Sequence, residues 1–183
     1  DGRVKNKDII CVSYNCAASN LLTGVRFATT YNNFNTPRTP TSGNFFTAST
    51  EQFIGVNEDS PTFNRLRGSY TQFFPVKWLK LHKKCRPKPG EVADCPQAIG
   101  FQVKAGTIIG DLPPYDAFCM GGSNSIRGWY DCDLAVARSF GEVTLEYRFP
   151  IISVFSGELF VAAGTDFNTQ KNVPGTPGLL LNK

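Results

Sequence analysis

The sequence contains very little histidine and no closely spaced cysteine pair of the metal-binding type. His82 is the single histidine among 183 residues, and no Cys-x-x-Cys unit occurs. A Ser-His-Asp triad needs a histidine beside its nucleophile, and His82 lies in a basic turn. Structural zinc sites need Cys or His ligands at characteristic spacings. We therefore expect that the chain is not an enzyme and that it uses no metal and no cofactor.

Long apolar runs are also absent. No stretch approaches the roughly 18–20 apolar residues that a transmembrane helix requires. Helix signals are few, whereas 15 phenylalanines and recurrent Thr, Val and Ile accompany 17 glycines and 12 prolines. This balance favours an all-β fold. Because barrel strands give only weak alternating signals, a membrane barrel stays open as an interpretation. The first residues do not resemble a signal peptide, so we expect an excised or processed segment.

The six cysteines lie as three close pairs, and we interpret them as disulfides in the loops of a secreted or envelope protein. The pairs suggested by spacing are Cys11 with Cys16, Cys85 with Cys95, and Cys119 with Cys132. Six cysteines allow fifteen connectivities, so spacing does not decide among them. Six free thiols in a reducing cytoplasm are the alternative.

Six segments alternate with a period of two residues and have the length of a tilted membrane-spanning strand. They are Thr23–Tyr31, Asn44–Val56, Phe63–Pro75, Ile99–Ile109, Ser139–Pro150 and Gly157–Asp166. The fifth is the clearest, because its charged and polar residues all fall on one face and its apolar residues on the other. The polar set is Glu142, Thr144, Glu146 and Arg148, and the apolar set is Val143, Leu145, Tyr147 and Phe149. Such a strand is typical of a wall between lipid and a watery lumen.

Two features indicate part of a larger barrel. Six strands leave two open edges, whose backbone groups would lack partners in hydrocarbon. The connection over residues 111–138 is far longer than a hairpin needs, and its glycines and aromatic residues indicate an ordered, functional loop. The net charge of +4 is densest over Lys77–Lys88. A nucleic-acid site would need basic residues interleaved with exposed aromatics on one surface, and this run lacks that arrangement, so it indicates a solvated turn beside a membrane surface.

Several motifs occur in an order that resembles one family. They are Pro40-Thr41-Ser42-Gly43, Leu112–Phe118, Gly121-Gly122, Ser125–Trp129, Glu146–Pro150, and Leu159-Phe160 followed by Gly164–Asp166. This set resembles the BamA and chloroplast Toc-channel superfamily of outer-membrane insertion porins, also called the surface-antigen family. The L-P-P-Y and G-T-D-F runs are most similar to its cyanobacterial and plastid branch. The resemblance covers most of the chain, from about Thr23 to Gly175.

The resemblance implies an antiparallel transmembrane β-barrel of sixteen strands, of which residues 1–183 supply about six as one partial barrel domain. It implies a location in a bacterial, cyanobacterial-type outer membrane or a plastid envelope. The implied function is outer-membrane protein insertion or polypeptide translocation. The implied partners are unfolded outer-membrane or precursor polypeptides, the lipid bilayer and the POTRA domains of the parent chain. Those domains and the closing strands are absent from this segment.

The resemblance also implies that the long loop folds back into the barrel lumen. Its functional residues are Gly121, Gly122, Ile126, Arg127, Gly128 and Trp129. A guanidinium in a lumen is costly unless carboxylates hold it. The candidate partners of Arg127 on the lumen faces of the next strands are Glu142, Glu146, Glu158 and Asp166. Ala162 stands where the family typically carries an aspartate, so the usual partner is expected to be lost and Asp166 or Glu146 to substitute for it.

Two alternatives remain at this point. An isolated Arg-Gly-Trp segment is better interpreted as an exposed loop charge, and only the surrounding motifs favour a tether through Arg127. For the whole chain, the alternative is a soluble, disulfide-stabilised extracellular β-sandwich that binds a partner through residues 111–138. A sandwich also alternates, but the aromatic residues near the strand ends favour a membrane girdle.

The disulfide interpretation predicts that a thiol-reactive maleimide does not modify the six cysteines of the native, unreduced protein. Mass spectrometry of the labelled peptides checks this, with a reduced and denatured sample as the positive control. Modification of all six cysteines without reduction would show that the interpretation is wrong.

Overall fold

The computed structural model describes residues 14–16, 19–79, 86, 97–152 and 155–167. Eight strands lie in this part of the chain. They are β1 (Leu22–Asn32), β2 (Gly43–Gly55), β3 (Phe63–Pro75), β4 (Ala98–Gly110), β5 (Phe118–Met120), β6 (Ala135–Ala137), β7 (Ser139–Ile152) and β8 (Phe155–Phe167). Short 3₁₀ turns occur at Tyr14–Cys16 and Pro114–Asp116. None of the helices in these ranges is long and apolar enough to cross a membrane.

Six of the strands form one antiparallel sheet in the order β1-β2-β3-β4-β7-β8, and β5 pairs with β6 in a separate two-stranded sheet. The predicted all-β, antiparallel architecture is confirmed, and each of the six predicted strands is present. Within the described chain the large sheet remains open, with β1 and β8 as its edges. The sheet is therefore a segment of wall and not a closed barrel. The cysteine predictions for Cys11, Cys85, Cys95 and the side chain of Cys16 lie outside the described residues.

The cross-strand register gives the sheet one polar face. Glu51 lies opposite both Arg26 and Arg65, and Lys104 lies opposite both Ser69 and Glu142. Directly opposite residues of an antiparallel pair share a face, so these side chains form one charged surface. We call it the loop face, because residues 111–138 pack on it. The other surface is called the outer face.

The outer face carries large apolar side chains that none of the described residues covers. Phe27 is 69% exposed, Ile109 58% and Leu159 64%. A β-sandwich would bury such a face against a second sheet. In the described part of the chain the second sheet, β5–β6, packs on the loop face instead. A contiguous uncovered apolar surface marks a contact with lipid or protein, so the outer face fits a lipid-facing wall.

The buried core lies between the loop and the loop face. Phe63 and Ile108 from the sheet pack with Phe118 from the loop in one cluster. The Phe118 and Phe140 rings lie 4.8 Å apart, which joins the start of the loop to β7. Because the interior is built from both parts, the loop is an integral layer of the fold.

We predict that Val143→Arg, a change on the outer face of β7, destabilises the full-length protein in lipid vesicles by about 2–4 kcal/mol. An arginine there replaces an apolar side chain in contact with hydrocarbon. The matched control is Thr30→Arg on the loop face of β1, where the side chain is exposed to the polar side. Urea titration, followed by the heat-modifiable gel mobility of the folded barrel, measures both. Equal stability of the two variants would contradict a lipid-facing outer face.

Candidate functional site

The long connection between β4 and β7 is built around a short hairpin. After Gly110 the chain makes the 3₁₀ turn Pro114–Asp116 and then enters β5, which pairs with β6 in the register Phe118↔Ala137. A disulfide joins Cys119 to Cys132, with the two Cα atoms 4.4 Å apart. This pair is the one cysteine pairing predicted from spacing that falls in the described chain. The disulfide ties the loop tip, residues 121–131, to the hairpin.

The loop docks through a small apolar cluster. Met120, Ile126 and Ala137 are buried together and pack against Ala162 of β8. A Cβ at Gly164 would lie 2.7 Å from Ile126 Cδ1 and 2.8 Å from Met120 Cε, which is closer than carbon contacts allow. Small residues on β8 therefore form the seat for the loop. Ala162, the position where an aspartate is typical of the resembled family, supplies apolar contact in this chain.

The loop tip is shaped by glycine and by polar contacts to the sheet. Gly121 and Gly122 have φ angles of 112° and 86°, in the left-handed region that favours glycine. The hydroxyl of Ser125 accepts a hydrogen bond from the Gly121 N–H at 3.0 Å and donates one to a carboxylate oxygen of Glu142. Lys104 Nζ donates to the carbonyl of Asn124. These contacts bring the tip down onto β4 and β7.

Arg127 lies against two carboxylates from different strands. Its Nη2 is 3.0 Å from Glu146 Oε2, and its Nη1 is 2.5 Å from Glu158 Oε1. The guanidinium carbon also lies 4.2 Å from the centroid of the Phe160 ring, within cation–π range. Partial burial lowers the pKa of Arg127, but the hydrogen bonds to Glu158 and Glu146 outweigh it and hold the pKa above its ordinary value. The group therefore stays charged at every physiological pH.

A second arginine completes the arrangement. Arg148 Nη2 lies 2.6 Å from Glu146 Oε1, and Arg148 Nε lies 3.6 Å from Glu158 Oε2. Each carboxylate therefore offers one oxygen to Arg127 and the other to Arg148. We call Arg127, Glu146, Arg148 and Glu158 the Arg127 cluster. Arg148 was not among the predicted site residues, although its place two positions after Glu146 on the same strand face was a usable signal.

The other candidate partners of Arg127 lie elsewhere. Glu142 is buried and is held by Ser125. Asp166 is exposed and lies opposite Phe140, eight residues from Glu158 along β8, which is roughly 27 Å of strand. At the loop tip, Trp129 is 54% exposed, and a Cβ added at Gly128 would meet no other atom within 4 Å. Arg127 therefore has Glu146 and Glu158 as its ion-pair partners among the described residues.

The site is a packing and ion-pair contact between the loop of residues 111–138 and the loop face of the sheet. Its charged groups are paired with each other, and their side chains are between 11% and 32% exposed. Among the residues that the structure describes, no group of three or more His, Cys, Asp and Glu side chains is placed to hold a metal ion. The arrangement is suited to holding the loop tip against the sheet.

Comparison with known proteins gives a consistent family. The family described as "Omp85 superfamily domain" matches residues 2–183. Protein TOC75-4, chloroplastic, from Arabidopsis thaliana is 33% identical over 135 residues, which are 73% of this chain and 31% of that protein. Outer envelope protein 39, chloroplastic, from the same plant is 35% identical over 114 residues, which are 61% of this chain and 32% of that protein.

The fold comparison agrees. The crystal structure of BamA from Haemophilus ducreyi lacking POTRA domains 1-3 matches with a TM-score of 0.62 and 17% identity, covering 79% of this chain and 30% of that one. At this identity the match shows the fold, an antiparallel barrel wall. The chain spans about a third of the length of each of these proteins.

We predict that Gly164→Val on β8 displaces Ile126 and Met120 from their seat and lowers the stability of the full-length protein by about 1–3 kcal/mol. The control is Gly68→Val, because a Cβ at Gly68 meets only the Thr47 carbonyl oxygen at 3.8 Å. Urea titration of both variants in vesicles is the measurement. A Gly164 variant as stable as the Gly68 variant would show that β8 does not seat the loop.

Proposed function

The chain belongs to the Omp85 superfamily, and from this premise we propose that it forms part of the wall of a channel that inserts or translocates polypeptides. The observation that carries the proposal is the docked loop, whose Arg127 is ion-paired to two strands on the polar face of a sheet with an apolar outer face. Relatives named as chloroplastic outer envelope proteins, together with the BamA fold match, support a bacterial outer membrane or plastid envelope as the location.

The proposed role of the loop follows from where it lies. If the outer face contacts lipid, the loop face lines the watery interior, and residues 111–138 then occupy that interior. The ion pairs of the Arg127 cluster are partly exposed, so each contributes modestly and water competes with it. Such a tether is strong enough to favour one loop position and weak enough to be released. The loop thereby acts as a two-state element that narrows or opens the path of a polypeptide.

The proposed activity involves no covalent chemistry. An unfolded polypeptide would pair its strands against the channel wall or pass through its interior, while the apolar outer face keeps the channel in the bilayer. Because the chain spans about a third or less of the length of its relatives, we place POTRA domains and the remaining strands in other parts of the full-length protein. The partners in this proposal are unfolded outer-membrane or precursor polypeptides, lipid and those domains.

We predict that Arg127→Glu in the full-length protein slows polypeptide insertion or transport roughly tenfold or more. A glutamate there faces Glu146 and Glu158, and a loss of about 1.4 kcal/mol already shifts the loop equilibrium tenfold. Two assays measure the effect in vesicles: assembly of an unfolded outer-membrane barrel, and uptake of a precursor polypeptide.

The control for this experiment is Lys77→Glu, which makes the same charge change at an exposed position in the connection after β3. It should leave both assays unchanged. A folded Arg127→Glu protein with normal rates in both assays would sink the proposal that this loop tether serves polypeptide handling.

A further inference from the structure

Three neighbouring strands place Phe73, Gly100 and Glu146 in one row across the loop face. A Cβ built at Gly100 would lie 2.6 Å from Phe73 Cε1, 2.7 Å from Glu146 Cγ and 2.9 Å from Glu146 Oε1. Carbon atoms in van der Waals contact are about 3.5–4.0 Å apart, so no side chain fits there without displacing its neighbours. The missing side chain creates a slot in which the Phe73 ring and the Glu146 side chain converge.

Arg148 joins this slot to the Arg127 cluster. Its guanidinium carbon lies 4.5 Å from the centroid of the Phe73 ring, and its Nη2 holds Glu146 Oε1 at 2.6 Å. The opposite oxygen, Glu146 Oε2, then faces Arg127 at 3.0 Å. The slot and Arg148 therefore set the orientation of the Glu146 carboxylate on one side. On the other side, its second oxygen binds Arg127 of the loop.

The same row is braced by the connection between β1 and β2. The Phe34 ring from that connection lies 5.4 Å from the Phe73 ring in an edge-on contact, and 5.8 Å from Phe45 in a stacked one. Aromatic pairs at these separations attract each other beyond simple burial. An unbroken series of contacts thus runs from Phe34 through Phe73 and Arg148 to the carboxylates that hold Arg127.

We propose that Gly100 and Phe73 are positioning residues for the loop: the slot between them fixes Glu146 so that one oxygen faces Arg148 and the other receives Arg127. Through Phe34, the docked state of the loop also depends on the connection between β1 and β2. The consequence for polypeptide handling rests on the proposed function, whereas the positioning itself concerns only where the loop lies.

The first test is Gly100→Ala in the full-length protein, which changes no charge. In planar-bilayer recordings we expect the fraction of time in the high-conductance, loop-released state to rise several-fold. Gly68→Ala, on the outer face of β3, is the matched control and should leave that fraction unchanged, since its Cβ has an ordinary contact at 3.8 Å. A folded Gly100→Ala protein with the wild-type open fraction would overturn the proposal.

A second variant covers the case in which Gly100→Ala does not fold, as judged by heat-modifiable gel mobility. Phe73→Leu keeps an apolar side chain in the slot and removes the ring face beneath Arg148. We expect it to raise the open fraction in the same direction as Gly100→Ala. An unchanged open fraction in folded Phe73→Leu would count against the proposal in the same way.

A double-mutant cycle separates positioning from a general loss of stability. In an Arg127→Ala background the loop has already lost its anchor, so Gly100→Ala or Phe73→Leu should add nothing to the open fraction. Effects that simply add would show that these residues act independently of Arg127, and the proposal would be wrong.

The recordings involve no client polypeptide, so the two proposals fail separately. Normal client insertion by Arg127→Glu, combined with intact coupling between Gly100 and Arg127 in the recordings, would remove the proposed function and support the positioning. Additive effects in the cycle, combined with impaired insertion by Arg127→Glu, would contradict the positioning role of Gly100 and Phe73 and support the proposed function.

Discussion

A guanidinium held against a protein wall is costly unless it is paired, and the pairing of Arg127 with Glu146 and Glu158 is the contact on which the proposed role of the loop depends. The two carboxylates come from adjacent strands, so a single arginine fastens the loop tip to both β7 and β8. The hairpin, its disulfide and the apolar seat hold the same loop on the sheet through contacts of their own. Because the cluster is partly exposed, each of its ion pairs contributes only modestly to the attachment.

The sheet makes room for the loop with glycine and alanine at the positions where the two pack together. Gly164 and Ala162 leave room for Ile126 and Met120, and Gly100 leaves room for Glu146 beside Phe73. An aspartate at position 162, which is typical of the resembled family, would place a charge beside the apolar cluster that Ala162 contacts here. Glu158, four residues earlier on the same face, is one of the two carboxylates that pair with Arg127. Apolar docking and ion pairing are thus divided between neighbouring positions of one strand.

Sequence reasoning succeeded where the physical signal was local. Alternation placed Glu142, Glu146 and Arg148 on one face of β7, because successive side chains of any strand point to opposite sides. It failed to show the hairpin β5–β6, since three residues per strand carry no measurable period. Sequence reasoning also proposed Asp166 as readily as Glu158. Both residues lie on the same face of β8, and the alternation of side chains does not show which of them lies beside the loop. Phe73 and Gly100 were not identified as site residues, since nothing along β3 or β4 singles them out.

The sequence by itself determined the six long strands, their polar and apolar faces and the family, because all of these depend on the order of residue types along the chain. Only the tertiary structure decided which carboxylates receive Arg127, that Arg148 takes the opposite oxygens, and that Gly100 leaves the slot for Glu146. The reason is physical: ion pairs and close packing depend on cross-strand register and on the path of a loop across the sheet. Neither quantity is encoded by any one segment, and each is settled only when distant parts of the chain meet.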